Sequence, residues 1–566
     1  MLDPALARQP DRGGRAHVAR RRCDGLKGGG GERGSVKFGA PVVYTAWLAT
    51  QSLGYWQFRR ALERVRPTQE GLLMSYLRKN AQTELGRRHG FAAIRSVREY
   101  QERVPLSTYD DYTDSIQRLR SGADGILTAA RVHCLEPTSG STQAVKLIPY
   151  TRDLQSEFGR AIAPWMFDLA LATPGILGGP AYWSITPAMT QPVGSEGDVA
   201  VGFESDSAYL GGWLGWLANR TLVDCNDLKY VEDVEQFRRR TLVRLLSEGD
   251  LRLISVWHPT FLTLLLDTLA ESWGDLLDDV SQGLPPAGAV RASRANPARA
   301  RQLLRADPSR PASIWPHLAL VSCWGDGHAA TLIPDLQTRL PGVRIQPKGL
   351  IATEAFVSLP FAGRHPLAIR SHFFEFIDDR RYARPAWELA EGESYGVVVT
   401  TGGGLYRYQL RDRITVEGFV GTTPSIRFLG KEDSVSDLCG EKLSEEWVAR
   451  VLSRLLPVLA PRMTFALLAP ETEGRTPQYV LYIASDEAPA PTLGEALEAE
   501  LALNPNYAHC VRLGQLSSAA VARVDAAAAG RYLERLRQGG RRLGNIKPAA
   551  LSTLTGWRGW FGMFPV

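Results

Sequence analysis

The sequence predicts an α/β protein. A large N-terminal domain of layered sheets with helices and a β-barrel-like subdomain is expected, followed by a small mobile α+β C-terminal domain. Between about residues 130 and 350, short apolar runs alternate with helical stretches, as in a layered α/β sheet. Beyond residue 365, runs such as "YGVVVTT" and "SIRFLG" have strand periodicity without long helices. A charged, glycine-bounded linker at residues 429–433 then introduces a segment of different character.

The first 38 residues are rich in glycine and arginine and hold too little apolar material for a core. We therefore expect a disordered tail over 1–38, an N-terminal domain over 39–430 and a C-terminal domain over 431–566. The uncharged run from Phe38 to Phe58 predicts an amphipathic helix that continues through "FRRALERV", in preference to a signal or anchor. Residues 68–120 predict further helices joined by polar turns.

The C-terminal segment predicts a helix after the linker and then a mixture of strands and helices. Strands are expected at "MTFALLA", "QYVLYIAS" and "VRLGQLS", and helices at "LGEALEAELA" and "AAGRYLERLRQ". At about 130 residues, this segment has the size of a small domain.

Charge argues against a nucleic-acid partner. The net charge is +6, but residues 1–38 contain nine Lys and Arg against four Asp and Glu, which leaves +1 on the rest of the chain. Such a body lacks the basic field that nucleic-acid binding requires. The six cysteines are far apart and form no C-x-x-C pair, which argues against zinc and a disulfide framework and favours a cytoplasmic protein without a membrane partner.

A hydroxyl-rich loop follows the first predicted strand, in "EPTSGSTQAVKLIPYT". The hydroxyls and backbone amides of Ser139, Gly140, Ser141 and Thr142 have the chemistry to cradle phosphate oxygens. The spacing is not G-x-x-x-x-G-K-[ST], so a Walker-type nucleotide site is not expected. The alternative is a solvated polar turn.

Two later motifs each contain one acidic residue in an apolar setting. In "LIATEAF", Glu354 beside Thr353 has the chemistry of a Mg²⁺ ligand next to a phosphate contact, or of a carboxylate at a strand-to-loop exit. In "TTGGGLYRYQLRDRI", Asp412 has the chemistry to accept hydrogen bonds from two ribose hydroxyls, or to form an ion pair with Arg411 or Arg413.

Lysine is rare in this chain, with nine lysines against 57 arginines. A retained lysine therefore indicates a position where the planar guanidinium of arginine is unsuitable. Five of the nine fall within or beside the motifs: Lys146, Lys348, Lys431, Lys442 and Lys547.

Two further segments are candidate ligand contacts. His258 in "VWHPTF" either lines a substrate pocket or caps the following helix. Trp324 and Gly325 in "WGDG" end an apolar strand, where α/β sheets bind ligands, and would lie against adenine or form a plain turn. Neither G-x-S-x-G nor H-E-x-x-H occurs, which argues against serine hydrolases and metallohydrolases.

The ordered set of motifs, followed by a hinge and a small domain, resembles the adenylate-forming superfamily. More closely, it resembles the auxin-responsive (Gretchen Hagen) family of acyl-acid amido synthetases, and its bacterial members in particular. The segments that carry the resemblance span about residues 41–555: "TELGRRHGF", "VPLSTYDDY", "TSGSTQAVKLIP", "IATEAF", "GLYRYQLRD", "FLGKEDSVSDLCGEKLSE" and "LGNIKP".

The resemblance implies an ATP site. The loop residues Ser139, Ser141 and Thr142 would lie at the phosphates. Thr353 and Glu354 would face the phosphates and Mg²⁺, which makes Glu354 both a metal ligand and a catalytic residue. Asp412 would bind the ribose, although Arg411 stands where the family normally has glycine. Leu350 stands where plant relatives carry an aromatic residue that stacks on adenine.

The resemblance also implies a moving catalytic group. Asp433, with Lys431, matches the hinge about which the small domain rotates. Lys547 matches a C-terminal lysine that stabilises charge during adenylation, and Lys442 would face the same cleft. From fold position, the acid pocket is expected at Phe158, Trp183, Trp257 and His258.

The implied reaction uses ATP and Mg²⁺ to adenylate a carboxylic acid and then transfers the acyl group to an amino acid or another amine. Two alternatives stay open. One keeps the adenylate and replaces the amine by a thiol such as coenzyme A. The other is a non-catalytic protein that binds a nucleotide or an acyl acid.

Overall fold

The structure is a computed structural model. It describes residues 40–138, 146–184, 199–202, 222–231, 233–432, 435–473, 476–538 and 549–562, with only the backbone of residues 40–44, 234, 328 and 331. The predicted tail over 1–38 lies outside the described residues, as do Ser139, Gly140, Ser141, Thr142, Asp433 and Lys547.

The described helices begin with the long helix expected from the uncharged run. The N-terminal helices are α1 Ala40–Ala61, α2 Val65–Lys79, α3 Glu84–Arg88, α4 Val97–Arg103, α5 Thr113–Arg120, α6 Arg152–Ala172, α7 Val234–Ser247, α8 Pro259–Glu271, α9 Trp273–Gln282, α10 Pro297–Leu303, α11 Pro311–Ile314 and α12 Ile333–Arg339. The C-terminal helices are α13 Glu445–Leu459, α14 Leu493–Leu501, α15 Pro505–Arg512, α16 Ala528–Gln538 and α17 Trp557–Trp560. No helix in these ranges combines the length and apolar character needed to cross a bilayer.

The described strands form five sheets. The strands are β1 Val132–Pro137, β2 Leu147–Thr151, β3 Ala181–Trp183, β4 Ala200–Val201, β5 Leu253–Ser255, β6 Leu320–Cys323, β7 Arg344–Pro347, β8 Phe373–Ile377, β9 Ala383–Pro385, β10 Ser394–Thr400, β11 Tyr408–Val420, β12 Thr423–Lys431, β13 Val435–Ser436, β14 Leu443–Ser444, β15 Met463–Glu471, β16 Gln478–Ser485 and β17 Ser517–Arg523. Their orders are β2-β1-β4, β3-β5-β6-β7, β12-β11-β10-β8-β9, β13-β14 and β15-β16-β17.

The alternating region predicted between residues 130 and 350 contains a parallel sheet, β3-β5-β6-β7. The β-rich region predicted beyond residue 365 is the antiparallel sheet β12-β11-β10-β8-β9. The mixed α/β class expected from the sequence is confirmed.

Helix α6 is fixed to the sheets at its first residue. The Leu154 N–H donates to Thr151 Oγ1 at 3.1 Å, which caps the helix, and the same hydroxyl donates to the Gly402 carbonyl at 3.0 Å. One threonine therefore sets the start of α6 and its position against the turn between β10 and β11.

The C-terminal segment folds as an α+β unit, with one correction to the prediction. The run "VRLGQLS" is not a strand, because its first part continues α15 and the strand β17 begins only at Ser517. Asn504 caps α15 through the N–H groups of Asn506 and Tyr507, and Pro505 occupies the first helical turn. Both signals favour a helix start, and they outweigh the short apolar pattern of "VRLGQLS".

Candidate active site

The predicted metal ligand Glu354 lies at the tip of a tight hairpin rather than at a strand exit. The hairpin is closed by the Ala352 N–H, which donates to the Ala355 carbonyl at 2.9 Å, and by a bridge between Ile351 and Phe356. The Tyr150 hydroxyl donates to the Thr353 carbonyl at 2.8 Å. Because Tyr150 belongs to β2, the strand that leaves the hydroxyl-rich loop, this bond ties the tip to that strand.

The predicted ribose ligand Asp412 is paired with the predicted hinge residue Lys431. The two are opposite each other in the β11–β12 ladder, and Lys431 Nζ lies 3.3 Å from Asp412 Oδ1. Asp412 is only 4% exposed, so this carboxylate is held by a neighbour on the adjacent strand. The ion-pair partner of Asp412 is therefore Lys431, and not Arg411 or Arg413 as in the alternative interpretation of the sequence.

A bulge in β11 sets the direction of Asp412. Gly396 pairs with Arg413 and Val398 with Gln409, so three residues of β11 lie opposite one residue of β10. Arg411 lies inside this bulge with a φ of 61°. That left-handed conformation favours glycine, which explains why the residue before the aspartate is expected to be glycine and shows that arginine holds the same backbone shape here.

Glu354, Asp412, Lys431 and Lys146 form one electrostatic cluster. Burial raises the pKa of the Glu354 carboxyl, the positive charges of Lys431 and Lys146 oppose that rise, and the negative charge of Asp412 adds to it. Burial likewise raises the pKa of Tyr408, beside the charges of Glu354 and Asp412. Residues predicted from separate motifs are thus brought into mutual electrostatic contact.

The base of the hydroxyl-rich loop is closed next to this cluster. The Thr138 N–H donates to the Lys146 carbonyl at 2.8 Å, and Lys146 Nζ lies 5.8 Å from the centroid of the Tyr109 ring. The buried Thr138 hydroxyl has no hydrogen-bond partner among the described residues. An unfilled hydroxyl at a loop base is a group to which a ligand oxygen can bind.

A buried pair, Glu157 and His372, supports both acidic motifs. The Phe356 N–H donates to His372 Nε2 at 3.0 Å, so the ring proton is on Nδ1 and is donated to Glu157 Oε2 at 2.9 Å. The Gly402 N–H donates to both Glu157 oxygens at 3.0 Å. A Cβ on Gly402 would lie 2.3 Å from Glu157 Oε1, so the carboxylate requires glycine there.

The pocket candidates lie on three different elements. Trp183 ends β3, and Phe158 is buried in α6 with its ring 5.9 Å from that of Phe356. His258 caps α8 by accepting a 3.3 Å hydrogen bond from the Thr260 N–H. The capping alternative for His258 is therefore confirmed.

The "WGDG" turn is attached to the end of β12. The Trp324 ring packs edge-on against Phe428, with 5.6 Å between centroids, and Asp326 Oδ2 accepts a 3.2 Å hydrogen bond from the Phe428 N–H. A Cβ on Gly325 would lie 2.7 Å from the Pro347 side chain. Phe428 precedes Lys431 by three residues in β12. The turn that contains Trp324 and Gly325 is therefore attached to the same strand as Lys431.

Lys442, between β13 and β14, is exposed and adopts a left-handed φ of 47°. Its side chain makes no hydrogen bond or ion pair within the described residues. The structure therefore does not join Lys442 to the charge cluster. The ion pair between Arg413 of β11 and Glu446 of α13, at 3.4 Å, does link the antiparallel sheet to the first C-terminal helix.

Sequence reasoning missed groups whose partners are distant along the chain. Glu157 and His372 are separated by 215 residues. Cys439, Glu441 and Cys510 also converge, with one ligand atom of each within 4.8 Å of the others. The Glu441 carboxylate is already occupied by the Leu438 and Cys439 N–H groups and the Tyr479 hydroxyl, and burial raises the pKa of Cys439 to about 12, so its thiol stays protonated.

Comparison with known families decides the assignment. The sequence profile of the GH3 family N-terminal domain matches residues 55–345, and that of the GH3 family central domain matches residues 365–431. The chain belongs to the GH3 family. The resemblance found in the motifs is therefore confirmed, and Thr138, Lys146 and Glu157 lie in the GH3 N-terminal domain, while Asp412 and Lys431 lie in the central domain.

Curated GH3 relatives match along most of the chain. An indole-3-acetic acid-amido synthetase, GH3.4 of Arabidopsis thaliana, is 22% identical over 502 residues, which cover 78% of this chain and 81% of the relative. A jasmonoyl–L-amino acid synthetase, JAR6 of Nicotiana attenuata, is 23% identical over 426 residues, covering 67% of this chain and 71% of the relative.

A solved GH3 structure shares the fold. A GH3.15 acyl acid amido synthetase superposes with a TM-score of 0.75 at 18% identity, covering 88% of this chain and 93% of that chain. A second structure of GH3.15, in complex with 2,4-DB, has a TM-score of 0.76 at 17% identity and covers 91% and 95%.

Proposed function

We propose that this GH3 protein is an acyl acid amido synthetase. In the first step, a carboxylate oxygen of the acid attacks the α-phosphorus of ATP, and pyrophosphate leaves. In the second step, an amine, most simply that of an amino acid, attacks the acyl carbon of the adenylate. AMP leaves with the electrons of the acyl–oxygen bond, the amine loses a proton, and an amide remains.

The observation that carries this proposal is the convergence of Glu354, Asp412, Lys431 and Lys146 beside the closed base of the hydroxyl-rich loop. Two cations and two carboxylates beside the base of a hydroxyl-rich loop suit a phosphate-bearing ligand with ribose hydroxyls. The amido synthetase activity named for GH3.4, JAR6 and GH3.15 supports the same conclusion.

The residues at the hairpin tip fit a Mg²⁺ ion that accompanies ATP. Mg²⁺ prefers oxygen ligands, and in nucleotide sites it is held by one or two carboxylates together with phosphate oxygens. Glu354 offers such a carboxylate, and the positive charges of Lys431 and Lys146 act against the rise in its pKa that burial causes. Bound there, Mg²⁺ would neutralise phosphate charge.

We assign separate binding and catalytic roles to the residues of the chain. We assign the hydroxyls of Ser139, Ser141, Thr142 and the amide of Gly140 to the phosphates, and Thr353 to the same group. We assign Asp412 to the ribose hydroxyls and Trp324 with Gly325 to the adenine side. Lys547 would stabilise the charge that develops at the α-phosphate.

We propose a rotation of the C-terminal domain, residues 431–566, about Lys431 and Asp433 between the two steps. Rotation exchanges the groups that face one cleft, which allows two reactions at one site. Lys442, whose exposed side chain has no partner among the described residues, would enter the cleft in one of the two orientations. We assign Phe158 and Trp183 to the acid pocket, together with His258, whose capping of α8 through Nδ1 is compatible with a ligand contact by the rest of its ring. The bacterial origin and the cytoplasmic location stay predictions of the sequence.

The proposal is tested by incubating the purified protein with MgATP, a panel of carboxylic acids and the proteinogenic amino acids. We expect pyrophosphate release that requires an acid, and an amide detected by mass spectrometry that requires both substrates. Acid-dependent pyrophosphate release followed by thioester formation with coenzyme A, but no amide, would instead favour a thiol acceptor. ATP binding without pyrophosphate release for any pair would contradict an enzymatic role.

Asp412→Ala is expected to weaken ATP binding by about 10- to 100-fold, because hydrogen bonds to a charged group contribute about 1.5–3 kcal/mol. Isothermal titration with ATP measures the affinity. Asp379→Ala is the matched control, since Asp379 pairs with the neighbouring Arg413 at 3.0 Å but is 78% exposed. An ATP affinity that is the same in Asp412→Ala and the control rejects the ribose assignment.

A further inference from the structure

A row of side chains crosses the parallel sheet near the carboxyl ends of its strands. Trp183 pairs with Ser255, Ser255 with Ser322, and Ser322 with Gln346. Paired positions in neighbouring parallel strands point to the same face, so these four side chains share one face. The Trp165 indole of α6 donates to Gln346 Oε1 at 3.1 Å, which identifies that face as the one covered by α6.

This row is polar where a sheet covered by helices is normally apolar. Ser255, Ser322 and Gln346 are all less than 9% exposed. The Ser322 hydroxyl has no hydrogen-bond partner among the described residues, although it is buried. A buried hydroxyl without a partner costs free energy unless a ligand or water satisfies it.

Lys348 follows β7 directly and extends the row by one cation. It lies two residues after Gln346, on the same face, and its Nζ donates to Ser255 Oγ at 2.9 Å. The same Nζ lies 4.8 Å from the centroid of the Trp257 ring. Trp257 in turn lies two residues after Ser255 and is only partly buried.

The ammonium group of Lys348 is buried without an opposite charge in the described part of the chain. Lys348 is 6% exposed. Burial lowers its pKa to about 8, and Cys323 is the one titratable neighbour that acts against this shift. Lysines are almost never buried this deeply unless they are paired. The Lys348 ammonium has three N–H donors and lies over the face of the Trp257 ring. One N–H donates to Ser255, and the other two have no hydrogen bond among the described residues.

Lys348 does not belong to the charge cluster around Glu354. The charges that act on Glu354 are those of Lys431, Asp412 and Lys146. None of these three acts on Lys348, whose single charged or titratable neighbour in the described residues is Cys323. A ligand group at Lys348 would therefore meet a cation that is distinct from those beside Glu354.

We propose that Lys348 and Ser322 form a subsite for a second carboxylate of the acyl acid, so that the preferred substrates are dicarboxylic acids with a flat apolar body. The inference rests on the proposed function, and it names the substrate class. The indole rings of Trp183 and Trp257 flank the row and offer apolar faces to the body of such an acid. A carboxylate at Lys348 supplies the missing opposite charge and fills the hydroxyl of Ser322.

The test compares matched acids that differ by one distal carboxylate: benzoate with terephthalate, and phenylacetate with its para-carboxy analogue. Calorimetric titration gives the affinity for each, and pyrophosphate release gives kcat/KM. We expect the parent protein to bind at least one dicarboxylate about tenfold or more tightly than its partner acid, because a hydrogen-bonded charge pair is strong. Lys348→Met should remove that preference and keep the affinity for the monocarboxylate.

Lys229→Met is the matched control, since it makes the same substitution away from the site and should keep the preference. The inference is overturned if no dicarboxylate binds more tightly than its partner acid in the parent, or if the preference survives Lys348→Met. A preference that depends on Lys348, without pyrophosphate release for any acid, would sustain the subsite and contradict the proposed function instead.

If circular dichroism shows that Lys348→Met does not fold, two further measurements still test the proposal. Ser322→Ala should reduce the preference by about tenfold, since a hydrogen bond to a charged group contributes about 1.5–3 kcal/mol. In the parent protein, the preference should be full at about pH 7 and below and should fall as the pH rises through about 8, because Lys348 then loses its proton. A preference that is unchanged at about pH 9.5 rejects Lys348 as the cation.

Discussion

Glu157→Ala is expected to lower the free energy of unfolding by about 3–5 kcal/mol, the usual cost of removing one member of a buried polar pair. Glu157 is 1% exposed and His372 is fully buried. Without the carboxylate, the His372 Nδ1–H and the Gly402 N–H both lose their acceptor in a site that water does not reach. Each unsatisfied donor costs about 1–3 kcal/mol.

Urea unfolding followed by fluorescence and circular dichroism measures this loss. Asp153→Ala is the control on the same helix, because its ion pair with Lys79 is partly exposed and should contribute less than about 1 kcal/mol. A double-mutant cycle with His372→Ala should show strong non-additivity, since the second change removes a donor that the first left unpaired. Equal losses for Glu157→Ala and Asp153→Ala would show that the buried pair contributes little.

Lys547→Ala is expected to slow pyrophosphate release by about 100- to 1,000-fold, the usual cost of losing one group that stabilises transition-state charge. Its effect on ATP affinity should stay within about threefold, because a group that acts mainly in the transition state contributes little to ground-state binding. Single-turnover pyrophosphate release and equilibrium titration with ATP separate the two effects. The expectation rests on the resemblance of "GNIKP" to the family's C-terminal lysine motif.

Lys547→Arg should recover part of the rate, because the charge is kept while the compact ammonium becomes a planar fork. Lys229→Ala provides a lysine control outside the proposed site. Parent-like pyrophosphate release by Lys547→Ala would remove Lys547 from the first step. A large loss of ATP affinity would instead assign it to nucleotide binding.

Elements with a strong local pattern were predictable from the sequence. The strands in "MTFALLA" and "QYVLYIAS" are β15 and β16, and "AAGRYLERLRQ" is α16 from its first residue to its last. Their apolar residues recur at one consistent spacing, which is the main sequence signal of secondary structure. The prediction of a strand at "VRLGQLS" is wrong. The signal that decides the structure is the Asn504 cap, which lies upstream of this segment and starts the helix that runs into it.

Part of the candidate site was predictable for another reason. Glu354 and Asp412 are acidic residues in apolar surroundings, and such residues need a structural or functional partner. The pairing of Asp412 with Lys431 depends on the register of two strands, which neither motif contains. The Glu157–His372 pair was not predictable, because a glutamate in "LQSEFGRA" looks like any solvated helix residue until the chain brings a histidine from 215 residues away.

Under the roles proposed for Asp412 and Lys431, their ion pair would link nucleotide binding to the hinge equilibrium. Lys431 ends β12, at the start of the segment predicted to act as the hinge. A ribose whose hydroxyls donate hydrogen bonds to the Asp412 carboxylate would change the charge balance at Lys431. By thermodynamic reciprocity, if nucleotide binding shifts the hinge equilibrium by some factor, the two hinge states differ in nucleotide affinity by that same factor. Nucleotide binding and the position of the C-terminal domain would then be coupled through the ion pair between Asp412 and Lys431, whose atoms are 3.3 Å apart.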